Sequence, residues 1–192
     1  MSANLFGTAE SDKRILVVDF GAQYAQLIAR RVRESNVYSE IVSHELDAEN
    51  FAELKPSGII FSGGPASVNV EGAPKIDPAI YELGVPILGI CYGAQLIAQQ
   101  NGGSVEGNEK GEYGRTVVNV NESGILLSGV ETSTQQVWMS HFDSITSPPE
   151  GAKVTASSDG SPVAVFEEPE KGLFGVQFHP EVQHTPCGQD LL

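Results

Sequence analysis

Residues 86 to 95 read Pro-Ile-Leu-Gly-Ile-Cys-Tyr-Gly-Ala-Gln, a short apolar run that passes through Gly89-Ile90-Cys91-Tyr92-Gly93 into helix-forming residues as far as Gln100. A Gly-x-Cys-x-Gly run between a buried strand and a helix is the cysteine counterpart of the nucleophile elbow. That turn is so sharp that the positions two before and two after the nucleophile must lack a Cβ. The helix behind it aims its N-terminus at the sulfur, where unpaired N–H groups favour thiolate over thiol. A lone cysteine is more often a small buried hydrophobe. Two glycines at this spacing, between a strand and a helix, turn the reading of Cys91 toward a strained, acidic nucleophile.

The rest of the first half supplies the sheet such an elbow needs. Arg14 to Asp19 is a β-rich apolar run closed by Phe20-Gly21, and a helix follows with Tyr24, Leu27, Ile28 and Val32 on one face. Arg30, Arg31 and Arg33 gather toward its C-terminal end, where the helix dipole favours cations. Val37 to Val42 reads as a second strand, Asp47 as the cap of a short helix through Leu54, and Gly58 to Phe61 as a third strand running into Ser62-Gly63-Gly64-Pro65. Residues 66–76 read as a loop, Asp77-Pro78 opens a helix, Val85 to Gly89 is a fourth strand, and Asn101-Gly102-Gly103 ends the elbow helix. Strands and helices alternate to this point, which predicts a parallel sheet with helices on both faces and active residues outside the carboxyl ends of its strands. Ser62 to Pro65 and Cys91 both fall there.

After residue 103 the texture changes. Thr116 to Val120, Val137 to His141, Val154 to Ser157, Val163 to Phe166 and Phe174 to Phe178 are short strand candidates separated by turns such as Ser158-Asp159-Gly160. The fold class expected is therefore α/β, a mostly parallel central sheet flanked by helices with a hairpin-rich second half. Residues 1–13 are expected to be a disordered tail and residues 14–192 one domain, a size that the length of 192 residues allows.

Composition removes several function classes. The net charge of −14, from 25 acidic against 11 basic residues, argues against a nucleic-acid surface, which needs a basic patch. Two cysteines, Cys91 and Cys187, are too few and too far apart for a disulfide framework or a zinc site. The site is accordingly expected to hold no metal. No apolar run reaches membrane-spanning length, and the first residues carry no signal-peptide pattern, so the expected compartment is the reducing cytoplasm.

A thiol nucleophile needs a base. In Phe174-Gly-Val-Gln-Phe-His179-Pro-Glu181, His179 follows a strand and Glu181 sits two residues on, so an extended backbone projects both from one face. The carboxylate can accept the imidazole N–H and leave the other nitrogen for Cys91, the arrangement that activates a thiol for acyl transfer. Alone, His-Pro-Glu is most often a surface turn; it gains its meaning from the elbow. Ser62-Gly63-Gly64-Pro65 lacks the length and lysine of a P-loop. A glycine N–H there, with that of Tyr92, would make an oxyanion hole. Val137-Trp-Met-Ser-His-Phe-Asp143 reads either as a buried strand with a satisfied histidine or as a pocket wall presenting Ser140 and His141.

Together, Ser62-Gly-Gly-Pro65, Gly89-Ile-Cys-Tyr-Gly-Ala-Gln95 and Gln177-Phe-His-Pro-Glu181 resemble the motifs of class I (triad-type) glutamine amidotransferases, a flavodoxin-like fold. Asp19-Phe-Gly-Ala-Gln-Tyr-Ala-Gln-Leu-Ile-Ala-Arg30, Trp138-Met-Ser-His141 and His179-Pro-Glu-Val-Gln-His-Thr185 resemble the GMP synthetase branch of that family, and the likeness covers residues 14 to 192. The resemblance implies that Cys91 attacks L-glutamine to form a thioester, with His179 as acid and base and Glu181 orienting it. Gly64 and Tyr92 match its oxyanion-hole positions, and Gln95, Ser140, His141 and Phe142 match positions that hold glutamine. It further implies, as partner, a synthetase (ATP-pyrophosphatase) domain or subunit, where ATP and magnesium serve the amination of XMP, and a homodimeric full-length enzyme. No cofactor is implied in the amidotransferase domain itself.

Three departures stand out. Phe142 occupies a place where the resemblance implies glycine, and Gly111 one where arginine is common. No pyrophosphatase motif is found in the chain, and Gln189 to Leu192 reads as the start of a continuing helix, so an excised domain is expected over a separate subunit. Two rival functions share these residues: a γ-glutamyl hydrolase or cysteine peptidase of the same fold, and a docking module silent without its synthetase partner, with the Arg30–Arg33 helix as its surface. His44, His184 and Cys187 are expected to stand outside the chemistry.

Overall fold

A computed structural model of the chain describes residues 13–65, 67–129 and 133–192, with the side chains of all but 108–110 among them. The tail expected over 1–13 therefore lies, apart from Lys13, outside the described residues, as does residue 66 of the loop expected over 66–76.

The first strand, β1 (Arg14–Asp19), sends Leu16 and Val18 into one core and Val17 into the other, the period of two expected of a strand covered on both faces. Helix α1 (Ala25–Glu34) covers the Val17 side with Ala25, Ile28, Ala29 and Val32. That buried stripe is narrower than the one expected, for Tyr24 and Leu27 stay half-exposed. Strand β2 (Tyr38–Ser43) follows, then α2 (Ala48–Glu53), whose cap Asp47 accepts the Asn50 N–H at 2.9 Å, as expected from its position. Strand β3 (Gly58–Phe61) is buried along its whole length.

Pro78–Glu82 forms a 3₁₀ turn where a helix was expected, with Asp77 capping it through the Ala79 N–H. Gly84 follows at φ 70, so the segment ends before a second turn can form. Strand β4 (Ile87–Ile90) leads into helix α3 (Tyr92–Gln100), buried from Tyr92 to Ala98 and packed in the core opposite α1.

The second half holds β5 (Ser104–Val120), β6 (Thr134–Ser147), β7 (Lys153–Ser157), β8 (Val165–Glu168), β9 (Leu173–Val176) and the short α4 (Gly188–Leu191). The nine strands form one sheet in the order β2-β1-β3-β4-β9-β8-β7-β5-β6. Strands β2, β1, β3, β4 and β9 run parallel, and β9 through β6 pair antiparallel. The α/β class with a parallel first half and a hairpin-rich second half is thus the observed one.

The largest difference lies in β5 and β6, expected as short pieces and found as a long hairpin. The register shifts between Gly107, opposite Asp143, and Glu112, opposite His141, which marks a bulge in the ladder. Glycines and charged residues from 106 to 115 hide any strand periodicity there. For function, the decisive feature is that β3, β4 and β9 are adjacent and parallel. The loops leaving their carboxyl ends bring Ser62–Pro65, Cys91 and His179 to one edge.

Candidate active site

Cys91 sits between β4 and α3 at φ 51 and ψ −105, one of three non-glycine residues with positive φ among those described. An L-residue is strained in that conformation, which persists only where its surroundings enforce it. The enforcement is visible on both sides. A Cβ at Gly89 would stand 2.5 Å from the Ala94 nitrogen, and one at Gly93 2.5 Å from the Phe61 Cβ and carbonyl oxygen. The Cys91 N–H donates to the Val176 carbonyl at 2.8 Å, and its own carbonyl accepts the Gln95 N–H at 3.0 Å, starting the helix. The elbow has the form expected of it, with Cys91 as a residue 6% exposed.

His179 lies just beyond β9. Its N–H donates to the Trp138 carbonyl at 2.9 Å, and its carbonyl accepts the Thr185 hydroxyl at 2.7 Å, so the main chain is held on two sides. The Nδ1 atom meets the Glu181 Oε1 at 2.8 Å, and the Glu181 side chain is fully buried. That pairing leaves Nε2 as the ring nitrogen that can serve the Cys91 sulfur. Burial, the largest single influence, opposes a charged imidazole here, but the Cys91 sulfur and the Glu181 carboxylate outweigh it and raise the pKa of His179 well above its ordinary value. Tyr24 packs edge-on against the ring, and Arg31 donates from Nε to the Glu181 carbonyl at 3.0 Å.

The loop leaving β3 supplies the facing wall. A Cβ at Gly63 would approach the His179 Cε1 to a tight 3.2 Å, and one at Gly64 would stand 2.7 Å from the Tyr92 Cγ, so both positions lie against the site and Gly64 has no room for a side chain. The Gly93 N–H donates to the Ser62 carbonyl at 3.1 Å, tying this loop to the elbow. Tyr92 is the first residue of α3, so its N–H has no carbonyl within the helix to meet.

A cavity of about 360 Å³ opens over the sulfur, and the residues that the sequence put forward come together around it: Gly64, Cys91, Tyr92, Gln95, Ser140, His141 and Phe142. The Cys91 Sγ lies 3.7 Å from the Ser140 carbonyl, and Gln95 donates from Nε2 to the Asp143 carbonyl at 2.7 Å. His141 presents main chain rather than ring nitrogens to this space. Its Nδ1 meets the Asp143 carbonyl at 2.9 Å, and its Nε2 the Glu112 carboxylate at 3.1 Å. Phe142 is 55% exposed at the rim, beside Tyr113, and its ring lies over Gly107 instead of filling the cavity.

Two residues went unassigned in the sequence. Gln177 is fully buried, 3.9 Å from the Cys91 Sγ through Nε2 and 3.3 Å from the Gln95 Nε2 through Oε1. Its place two residues before His179, hence on the same face of an extended chain, was the available signal. Asp143 is among the residues lining the cavity, and its Oδ2 is buried without a hydrogen-bond partner among the described residues. Its neighbourhood depends on the β5 bulge, which no local pattern announces. His44 stacks on Phe20 and His184 on Trp138, and Cys187 is half-buried at the start of α4, all outside the cavity. Among the described residues no group of three or more His, Cys, Asp or Glu side chains is arranged to hold a metal ion.

The profile of a family described as glutamine amidotransferase class-I matches residues 16–192. The glutamine-hydrolysing GMP synthase of Nocardia farcinica is 54% identical over 184 residues, which cover 96% of this chain and 35% of that protein. The one from Mycobacterium leprae is 53% identical over 191 residues, 100% of this chain and 36% of that protein. The chain thus spans about a third of the length of the GMP synthases it matches. Among solved structures, a candidate GMP synthase subunit from Thermoplasma acidophilum superposes with a TM-score of 0.84 at 34% identity, covering 93% of this chain and 89% of that one. A glutamine amidotransferase from Thermotoga maritima shares the fold at a TM-score of 0.68 and 22% identity, over 88% of this chain and 76% of that one. With the elbow, the buried histidine–glutamate pair and these likenesses in hand, the chain belongs to the class I glutamine amidotransferase family, and it corresponds to the amidotransferase part of GMP synthases.

Proposed function

We propose that this chain hydrolyses L-glutamine through a Cys91 thioester and delivers the ammonia to a synthetase part that aminates XMP to GMP. The observation that supports the reading is a strained elbow thiol lining one cavity with Gly64 and Tyr92, together with a buried His179–Glu181 pair that lies outside that lining, on the loop beyond the neighbouring strand β9. The Cys91 sulfur attacks the side-chain amide carbon, and the carbonyl electron pair moves onto oxygen, which the Gly64 and Tyr92 N–H groups stabilise. His179 gives its proton to the departing nitrogen, the C–N bond breaks and ammonia leaves. His179 then takes a proton from water as the water oxygen attacks the thioester, the C–S bond breaks, and glutamate departs. Glu181 holds the imidazole in the tautomer that both steps use.

Gln95, Ser140, His141 and Phe142 bound the end of the cavity where the α-amino and α-carboxylate groups of glutamine would sit, His141 through its main chain. The Asp143 carboxylate adds a negative group suited to an ammonium, which favours free glutamine over substrates whose amine is blocked. Gln177 steadies the sulfur through its side-chain amide. ATP and magnesium belong to the synthetase part, and no residue of this chain is assigned to them. A homodimeric whole enzyme in the cytoplasm completes the reading.

Amide-¹⁵N glutamine, XMP, ATP, magnesium and the synthetase part of a related GMP synthase, mixed with this chain, should yield GMP one mass unit heavier. Cys91→Ala should abolish that transfer and leave amination from added ammonium salts intact. Label transfer by the alanine variant would remove Cys91 from the mechanism.

A further inference from the structure

The strand segment 140–143 forms one wall of the cavity at the point where the register of its ladder shifts. On β5 the pairing jumps from Gly107 to Glu112, while on β6 it moves only from Asp143 to His141. Ser140, His141 and Asp143 keep strand partners in Tyr113, Glu112 and Gly107, but the register shifts between them, so the side chains gathered at the shift also set the position of this wall. The first residue beyond the bulge is Glu112, with a side chain 10% exposed and no place in the cavity lining. Its carboxylate faces the His141 Nε2 at 3.1 Å and accepts the Ser158 hydroxyl at 2.8 and 2.9 Å and the Gly160 N–H at 3.3 Å. Ser161 closes the network: its N–H donates to the Ser158 Oγ at 3.0 Å, and its hydroxyl lies 3.3 Å from the His141 Nε2.

The cluster joins the bulge of β5, the wall of β6 and the turn between β7 and β8. Its output toward the cavity is through His141, whose Nδ1–H donates back to the Asp143 carbonyl, the same carbonyl that accepts the Gln95 amide. One residue before His141 is Ser140, whose carbonyl lies against the nucleophile. We propose that Glu112 is a positioning residue for glutamine, fixing through His141 the main chain of 140–143 against Cys91 and Gln95. Burial, the largest influence on the Glu112 carboxyl, is outweighed by the donors around it, which hold its pKa below the usual carboxylate value and keep the acceptor ionised at neutral pH.

The inference rests on the reading of this cavity as a glutamine site, and the test separates the two. The probe is 6-diazo-5-oxo-norleucine, a glutamine-shaped electrophile, with iodoacetamide as a thiol reagent too small to need the wall. In Glu112→Ala the half-saturating concentration of the glutamine analogue should rise about 10-fold to 100-fold, with the limiting rate and the iodoacetamide rate within about 2-fold of wild type. Glu112→Gln, which keeps one carbonyl acceptor for Ser158 and Gly160, should fold even if the alanine variant does not, and should show a smaller rise in the same sense. In a His141→Asn background the Gln substitution should add nothing, because its route to the cavity is already cut. An unchanged half-saturating concentration in Glu112→Gln and Glu112→Ala would overturn the role of Glu112, as would full additivity with His141→Asn. Failure of the wild-type chain to react with the analogue would instead overturn the glutamine site itself.

Discussion

Cys91 holds a backbone conformation that glycine would adopt freely and cysteine does not. The glycines around it are what make that possible, so their replacement should be felt in both stability and reactivity. Gly93→Ala places a methyl 2.5 Å from Phe61 and should cost about 1–3 kcal/mol, measured by urea denaturation, with slower alkylation of Cys91. A second residue-scale prediction concerns pH. The fold raises the pKa of His179, so the protonated ring contributes stability that is present in full below about pH 6.5, the ordinary imidazole value, and is lost as pH rises through the raised one. Glu181→Gln removes one of the groups that raise it, so the alkaline loss, which starts near the ordinary imidazole value in both proteins, should be smaller in the variant and complete at lower pH. Denaturant titrations of both proteins from about pH 6 to about pH 10 check this, and coincident profiles would contradict it. Cys91, His179 and Glu181 were legible at this scale because each requirement is local: a glycine two residues away on either side, or a carboxylate two residues on.

Among the elements, the parallel ones were read well because a doubly covered strand must be apolar and must be bounded by turns, as in Gly58–Phe61 and Ile87–Ile90. Cap chemistry was equally plain. Asp47→Ala should destabilise the chain by about 0.5–2 kcal/mol through the lost bond to the Asn50 N–H, a shift in melting that a thermal scan would register. The hairpin of β5 and β6 was not legible beyond its two apolar stretches. Its middle is stabilised by Glu112, His141, Ser158 and Ser161, polar residues far apart in sequence whose pairing only the fold creates. The consequence of Phe142 was hidden for the same reason, since whether a bulky side chain blocks the cavity depends on the bulge opposite it. Because its ring lies at the rim and is 55% exposed, Phe142→Ala should leave stability within about 0.5 kcal/mol of wild type, seen in urea titration.

On the scale of the molecule, a single mixed sheet does two jobs. Its parallel strands β3, β4 and β9 converge three loops on the sulfur, while its antiparallel strands carry the cavity wall across to meet them. The order in which β9 returns beside β4 was beyond local reading, yet it is what places His179 next to Cys91. The direct test of that convergence is to incubate the intact chain with 6-diazo-5-oxo-norleucine and map the adduct by mass spectrometry. The expected result is labelling at Cys91 alone, prevented by excess glutamine, because only that thiol has both an adjacent base and a glutamine-sized cavity. No labelling of the folded protein, or equal labelling of Cys91 and the half-buried Cys187, would contradict the assignment of this cavity as the glutaminase site.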